Sequence, residues 1–368
     1  MSYFPTRSDE LFRDFSPEVD LPQGIGELIP WSQGGVQKWG LCESLIARSQ
    51  GCRHHDPEQM VLLAERAAAI AADLDPMAYG PELTADLRAR CLAELGNAHR
   101  VADDLESAER AWRNAVEESG RGTQDPLLLA RIMDLTASLR GAQRRFGEAL
   151  ELLDAVYQLY ESHGDRHNAG RALISKGVYT GYGNDPEGAV RLLSAGLAMI
   201  HPAADPKLVI SAVHNLIGFL ADCGKFREAQ RLLRRARQAY HAEGDRLNLI
   251  KLSWLEGRIA AGLGQLRRAE QSLLRARTDL TGIGLNYHAA LVSLDLATVW
   301  LSQGKTAETR SLVEELVATF QARRIAREAL AALMLLKEAF DLDRTGPLEL
   351  LRAVSRYLKG SRQALSAS

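Results

Sequence analysis

An all-α solenoid of antiparallel helix pairs is the fold class this sequence predicts, and three observations predict it. Asp125, Asp165, Asp205 and Asp245 recur at one constant interval, and Ala149, Ala189, Ala229 and Ala269 keep the same interval. The beat extends upstream to Ala108, within one position of the same spacing before Ala149, and downstream to Thr309, a full interval after Ala269, so six units run through most of the chain. A fixed period of this size is the signature of a repeat array. Composition agrees: hydrophobic residues make up 46% and aromatics 6%, with Ala, Leu, Arg and Glu abundant, which suits packed helices. Length is the third observation, because 368 residues exceed one ordinary domain but fit a single elongated stack.

Residues 1–33 carry Pro5, Pro17, Pro22 and Pro30 with Gly24 and Gly26. They show no helical period and read as an extended or partly disordered arm. The helical array spans 34–323. From Val36 onward Trp39, Cys42, Leu45 and Ile46 share one helix face, and Asp56-Pro57-Glu58 opens a second run, Met60 to Leu74, giving one helix pair. Asp125-Pro126 and Asp205-Pro206 place a capping carboxylate before a proline at the first helical position, which satisfies free amides and fixes φ. Gly164-Asp165 and Gly244-Asp245 supply a left-handed stop followed by the same cap. Ile325 to Phe340 and Leu348 to Leu358 form the expected terminal pair, residues 324–360, since the last apolar face of a stack must be covered. Residues 361–368 are the expected frayed tail.

The clearest unit reads LGNAHRVADDLESAERAWRNAVEE from Leu95 to Glu118. With Leu95-Gly96 on the first helix and Ala108, Trp112 and Ala115 on the second, it resembles a tetratricopeptide repeat (TPR). The small residues let two helices approach closely while Trp112 fills the space beside them. Later units drift: Gly177 and Gly257 keep the Gly96 place, Ala137, Ile217 and Ala297 replace it, and Thr309 stands for the second-helix Ala. Lys176 and Glu256 stand where the family has an apolar residue, which predicts poorer packing there. The 40-residue period is longer than the usual one of about 34 and resembles the variants of kinesin light chain and bacterial Rap-type arrays. The resemblance implies a right-handed TPR-like α-solenoid.

Charge is nearly balanced at −2 but unevenly spread, with 11 basic and 21 acidic side chains in 1–120 against 24 and 16 in 221–368. Such a gradient can steer a partner, although solvated helix faces also produce one. Cys42, Cys52, Cys91 and Cys223 form no CxxC pair. With no secretory leader and no apolar run of membrane-spanning length, a cytoplasmic chain without membrane contact is expected. The excess of Arg over Lys and the alanine-rich repeats point to a bacterial source.

Catalytic chemistry is not expected. His163-Gly164-Asp165-Arg166-His167-Asn168 looks like an acid–base or metal cluster, but its repeat mate, Glu243-Gly244-Asp245-Arg246-Leu247-Asn248, keeps Gly-Asp-Arg-x-Asn without either histidine. A turn and a cap explain both. Cys42, Cys52, His54 and His55 fit no zinc framework, and phosphate-binding, zinc-protease and nucleophile-elbow motifs are missing from the sequence. No cofactor and no metal are expected. Arg227, Arg231, Arg234, Arg235, Arg237, Arg267, Arg268, Arg275 and Arg277 cluster on two second helices. Without interleaved aromatics a solvated outer face is the better reading, and nucleic acid is disfavoured as a partner.

In tetratricopeptide arrays the first helices line a groove that holds a peptide. The repeat register, counted back from each marker Ala onto the first helix of its unit, selects the matching face. From it come the candidate contacts Arg131, Arg171, His214, Lys251, Trp254 and Arg258, with Asn215 beside His214. Arg171 and Arg258 would suit carboxylates held bidentately. The family's Lys-to-Asn clamp spacing is not present: Ser175 follows Arg171 and Leu255 follows Lys251 at that distance. The expected function is a non-catalytic interaction scaffold or adaptor binding a protein or peptide segment, acidic segments included, in the groove. The alternative is a peptide or small-signal receptor that changes superhelix pitch on binding.

Overall fold

Capping carboxylates and left-handed turns divide the chain into helices of nearly equal length. The computed structural model describes residues 35–53, 56–203 and 205–322; the arm, terminal pair and tail expected from the sequence lie outside them, as do His54 and His55. Fifteen helices fill the described residues, with no strand among them: α1 (Gly35–Cys52), α2 (Pro57–Ala72), the short α3 (Pro76–Tyr79), α4 (Pro81–Val101), α5 (Leu105–Ser119), α6 (Pro126–Ala142), α7 (Phe146–Ser162), α8 (Arg166–Tyr182), α9 (Pro186–Met199), α10 (Pro206–Asp222), α11 (Phe226–Glu243), α12 (Arg246–Gly262), α13 (Leu266–Gly282), α14 (Asn286–Ser302) and α15 (Thr306–Ala322). Each helix packs on the next, except that α2 passes over the short α3 to pack on α4. The first helices α4, α6, α8, α10, α12 and α14 also touch one another in succession, so they form the inner layer and their partners the outer one.

The aspartate beat is a row of helix caps. Asp125 accepts from the Leu127 amide at 2.9 Å, Asp165 from Asn168 at 3.0 Å, Asp205 from Leu208 at 3.1 Å and Asp245 from Asn248 at 2.7 Å. Each bond satisfies an amide that has no partner within its own helix, a contribution of about 1 kcal/mol. One residue before these caps, φ is positive at Gln124, Gly164 and Gly244. It is positive again midway, at Arg144, Asn184, Gly224, Gly264 and Gly304. Among the described residues the left-handed positions thus fall on a 20-residue spacing from Gln124 to Asn184 and from Gly224 to Gly304, half the period evident in the sequence. After most of them an amide reaches back to the preceding helix, as from Asp165 to the Tyr160 carbonyl at 2.9 Å and from Lys225 to Leu220 at 2.9 Å, closing the turn as a Schellman motif.

The alanine beat marks the closest helix approach. Ala108, Ala149, Ala189, Ala229 and Ala269 are all fully buried. Thr309 is equally buried and satisfies its hydroxyl by donating to the Lys305 carbonyl at 2.7 Å. A Cβ on Gly96 would stand 3.2 Å from the Ala108 carbonyl oxygen, and one on Gly196 only 2.7 Å from that of Gly170. At the two polar departures the structure adds something the family pattern did not suggest: Lys176 pairs with Asp154 and Glu256 with Arg237. Both lie where an inner helix meets the outer helix before it, so an ion pair bridges neighbouring units there.

Gly196→Ala therefore forces backbone apart and should lower unfolding free energy by about 1–3 kcal/mol in urea. Gly147 in α7 has open space where its Cβ would go. Gly147→Ala should leave stability unchanged or raise it by up to about 1 kcal/mol. Equal effects of the two substitutions would refute this account of the helix contact.

Candidate partner-binding groove

The inner-helix positions selected from the sequence do not behave alike. Arg131 on α6 donates to Glu94 of α4 through Nη2 at 2.8 Å and Nε at 3.1 Å, with Asp134 at 3.6 Å. Glu94 is almost completely buried. Burial disfavours its charge, yet Arg131 outweighs that and holds the Glu94 pKa below the ordinary carboxylate value. Arg171 on α8 donates to Asp205 at 2.6 Å, the same aspartate that caps α10. Arg258 on α12 donates to Asp222 at the end of α10 at 2.5 Å and lies 3.8 Å from Asp295 of α14. All three arginines thus clasp adjacent inner helices.

His214, Asn215 and Lys251 are half-buried. His214 Nδ1 shares a hydrogen bond with the Tyr240 hydroxyl at 3.2 Å. Burial, then the charges of Lys251 and Arg258, push the imidazole from 6.5 down to about 3, so it is neutral near pH 7. Lys251 has no carboxylate at ion-pair distance among the described residues, and burial lowers its pKa despite the opposing pull of Asp245. It is the one groove candidate cation whose charge the described residues leave unpaired by a salt bridge. Gly218 leaves the space beside Arg258 clear of a side chain: a Cβ there would lie 3.6 Å from Nη1.

Trp254 differs from the expectation of an aromatic open to the groove. It is 4% exposed and donates Nε1–H to Asp295 at 2.7 Å. The neighbouring α14 supplies both cover and acceptor, which no residue near Trp254 in sequence announces. Its ring is wall, and it holds Asp295 close to Arg258.

The His-Asp-His string resolves into local contacts. His163 Nδ1 lies 2.8 Å from the Leu159 carbonyl, and His167 Nδ1 accepts the His201 amide at 3.2 Å, while Asp165 caps α8. Cys42 is buried, its thiol directed to the Ala67 carbonyl at 3.6 Å. No set of three metal-ligating side chains converges among the described residues, and no helix there is long and apolar enough to cross a membrane. On the outer helices, Arg227, Arg231, Arg234, Arg235, Arg267, Arg268 and Arg275 are exposed.

A stack of helix pairs with a charged inner face defines a helical-repeat protein of the tetratricopeptide class. Residues 64–346 match the family described as the MalT-like TPR region, and the chain belongs to that family. Solved structures share the architecture. A Rap protein complexed with competence and sporulation factor aligns at 12% identity over 89% of this chain and 88% of its own, TM-score 0.65. NprR with its cognate peptide NprX aligns at 15% identity over 87% and 95%, TM-score 0.59. BtubC (BKLC) from P. vanneervenii is similar at 20% identity over 62% and 92%, TM-score 0.51. No curated protein matches the sequence. The fold is the right-handed TPR-like α-solenoid that the repeats imply.

The neutral state of His214 has a thermodynamic sign. In the unfolded chain the imidazole takes up a proton near 6.5, and in the folded chain only near 3. Unfolding is therefore proton-linked across that window, and stability falls as pH drops through it. Urea unfolding from pH 7 to pH 4.5 should show a smaller loss for His214→Gln than for the wild type. Identical pH profiles would mean that the imidazole is not held neutral.

Proposed function

We propose that the protein is a non-catalytic interaction module that binds a segment of a protein or peptide partner along its inner helices. Arg131, Arg171, His214, Asn215, Lys251 and Arg258 supply the contacts, with Trp254 holding the wall behind them. The observation that carries the reading is Lys251, a half-buried ammonium without a salt bridge among the described residues, beside the neutral His214 and the carboxylate-held Arg258. A desolvated cation with spare donors gains most from an acidic side chain or a terminal carboxylate. Asn215 lies next to His214 in sequence and can donate to an extended backbone.

The pitch-changing receptor remains a second reading because the groove cations also join adjacent units. Arg131–Glu94, Arg171–Asp205 and Arg258–Asp222 each tie one inner helix to another. A ligand carboxylate that draws Arg171 or Arg258 from its partner loosens that clasp. Pairs open to solvent are worth about 0–1 kcal/mol, so a bound segment can exchange the more exposed of these. The Rap and NprR structures are complexes with competence and sporulation factor and with a cognate peptide, which supports testing short peptides first.

Lys251→Glu should weaken capture of partner segments from the native host by about tenfold or more. Arg275→Gln on the outer layer should leave capture unchanged. Equal capture by wild type and Lys251→Glu would refute the groove reading. Compaction in small-angle scattering on adding the captured segment would select the receptor over the scaffold.

A further inference from the structure

Arg100 is the largest fully buried side chain among the described residues, and no carboxylate there pairs with it directly, Asp134 acting on it only from beyond ion-pair distance. It lies in the last turn of α4, 0% exposed. Nη2 and Nε donate to the Asn97 side chain at 2.9 and 3.3 Å, while Nη1 has no hydrogen-bond partner there. Among the described residues no carboxylate lies at ion-pair distance. A buried guanidinium without a directly paired counter-ion carries an uncompensated desolvation cost, and buried donors are almost always satisfied. An orphan of this kind calls for an explanation.

The surroundings supply one. Arg53, just past α1, is half-buried and likewise lacks a carboxylate partner among the described residues. Burial, then Arg100, Arg131 and Arg171, push its pKa from 12.5 down to about 9. Arg100 of α4, Arg131 of α6 and Arg171 of α8 thus all act on Arg53 at the end of α1, with Asp134 opposing them. The carboxylates near them are already engaged: Glu94 and Asp134 with Arg131, and Asp205 with Arg171. Four guanidiniums thus stand against three carboxylates, and neither Arg53 nor Arg100 has a direct ion pair among the described residues. Tyr179 of α8 adds a buried phenol whose charge and that of Arg100 influence each other.

We propose that Arg53 and Arg100, with Arg131 and Arg171 beside them, form a binding site for a compact oxyanion, a carboxylate or phosphate group, at the N-terminal end of the groove. Arg100 Nη1 offers a donor that costs no existing bond. Arg53, Arg131 and Arg171 are partly exposed and provide the approach. The planar fork of a guanidinium matches two oxygens on one centre, and the buried setting strengthens the contact because little water competes. The site rests on the inner layer being the ligand-binding face and shares Arg131 and Arg171 with the proposed groove, but Arg53 and Arg100 stand outside that contact set and Lys251 stands outside this one.

Calorimetric titration of the purified full chain with inorganic phosphate, and separately with acetate, at constant ionic strength tests it. Saturable binding of at least one anion supports the site, and comparison of the two arms tells phosphate from carboxylate preference. Arg53→Gln should weaken that binding by about tenfold or more, as loss of one charge-assisted contact does, and the outer-face variant Arg275→Gln should not. Arg100→Met should abolish binding while leaving the melting temperature of the ligand-free protein unchanged or higher, because an unneutralised buried charge is replaced by an apolar chain. Absence of saturation by either anion, binding indifferent to Arg53→Gln, or a melting temperature lowered by several degrees in Arg100→Met would each overturn the proposal. Partner capture that persists through Lys251 alongside such a result would leave the groove reading standing and remove only this site.

Discussion

Left-handed residues stand 20 residues apart from Gln124 to Asn184 and again from Gly224 to Gly304, and the rest of the described structure depends on that constraint. A helix of about 17 residues is about 25 Å long, and the short turn that follows reverses the chain before the helix can outgrow its neighbour. Because each turn repeats the same geometry, successive helices meet at the same height, and the small residue at the crossing falls at the same place in each unit. Glycine accepts the turn without strain at Gly164, Gly224, Gly244, Gly264, Gly284 and Gly304. Asp103, Gln124, Arg144 and Asn184 adopt it nonetheless, at a cost of about 1 kcal/mol each, which the packing of the flanking helices must offset. Strained turns thus gather in the N-terminal half.

Inside the curve, the dominant electrostatic motif is a clasp between adjacent inner helices. Arg131, Arg171 and Arg258 each hold a carboxylate from another unit, and Trp254 holds Asp295 in the same manner. These contacts do two things at once. They fix the spacing of the units, and they keep cations poised at the surface where a partner would lie. A bound carboxylate need not bring a cation to the groove; it needs only to compete with one already paired. Lys251 is different, since its ammonium is desolvated without that internal competition. The inner layer thus grades from engaged to available charge.

Much of the architecture was legible in the sequence because caps and small residues are chemically distinctive. Aspartate before proline, or glycine before aspartate, has few uses other than opening a helix, and alanine at a fixed interval marks close approach. The half-period is masked because Arg144 and Asn184 fill left-handed positions that glycine fills elsewhere. At the candidate groove, register placed the right helices but could not foresee partners that lie about one whole repeat away along the chain. Arg171 meets Asp205, Arg258 meets Asp222 and Trp254 meets Asp295 only once the units stack. Arg100 was hidden for another reason: a basic residue in the last turn of a helix ordinarily complements the helix dipole, so nothing in its sequence context distinguishes a solvated end from a buried guanidinium with an unsatisfied donor.

The 20-residue step also limits how such a chain can grow. Inner and outer layers alternate, so the smallest length that can be copied or lost without consequence is two steps. Removing one helix and its turn would keep every cap and every left-handed residue in register and still send each later inner face outward. The clasping arginines would then face solvent and the exposed arginines of α11 and α13 would face the groove. Duplication in whole pairs preserves the sidedness of the surface, and the 40-residue beat is the length at which the array can be edited without turning it inside out.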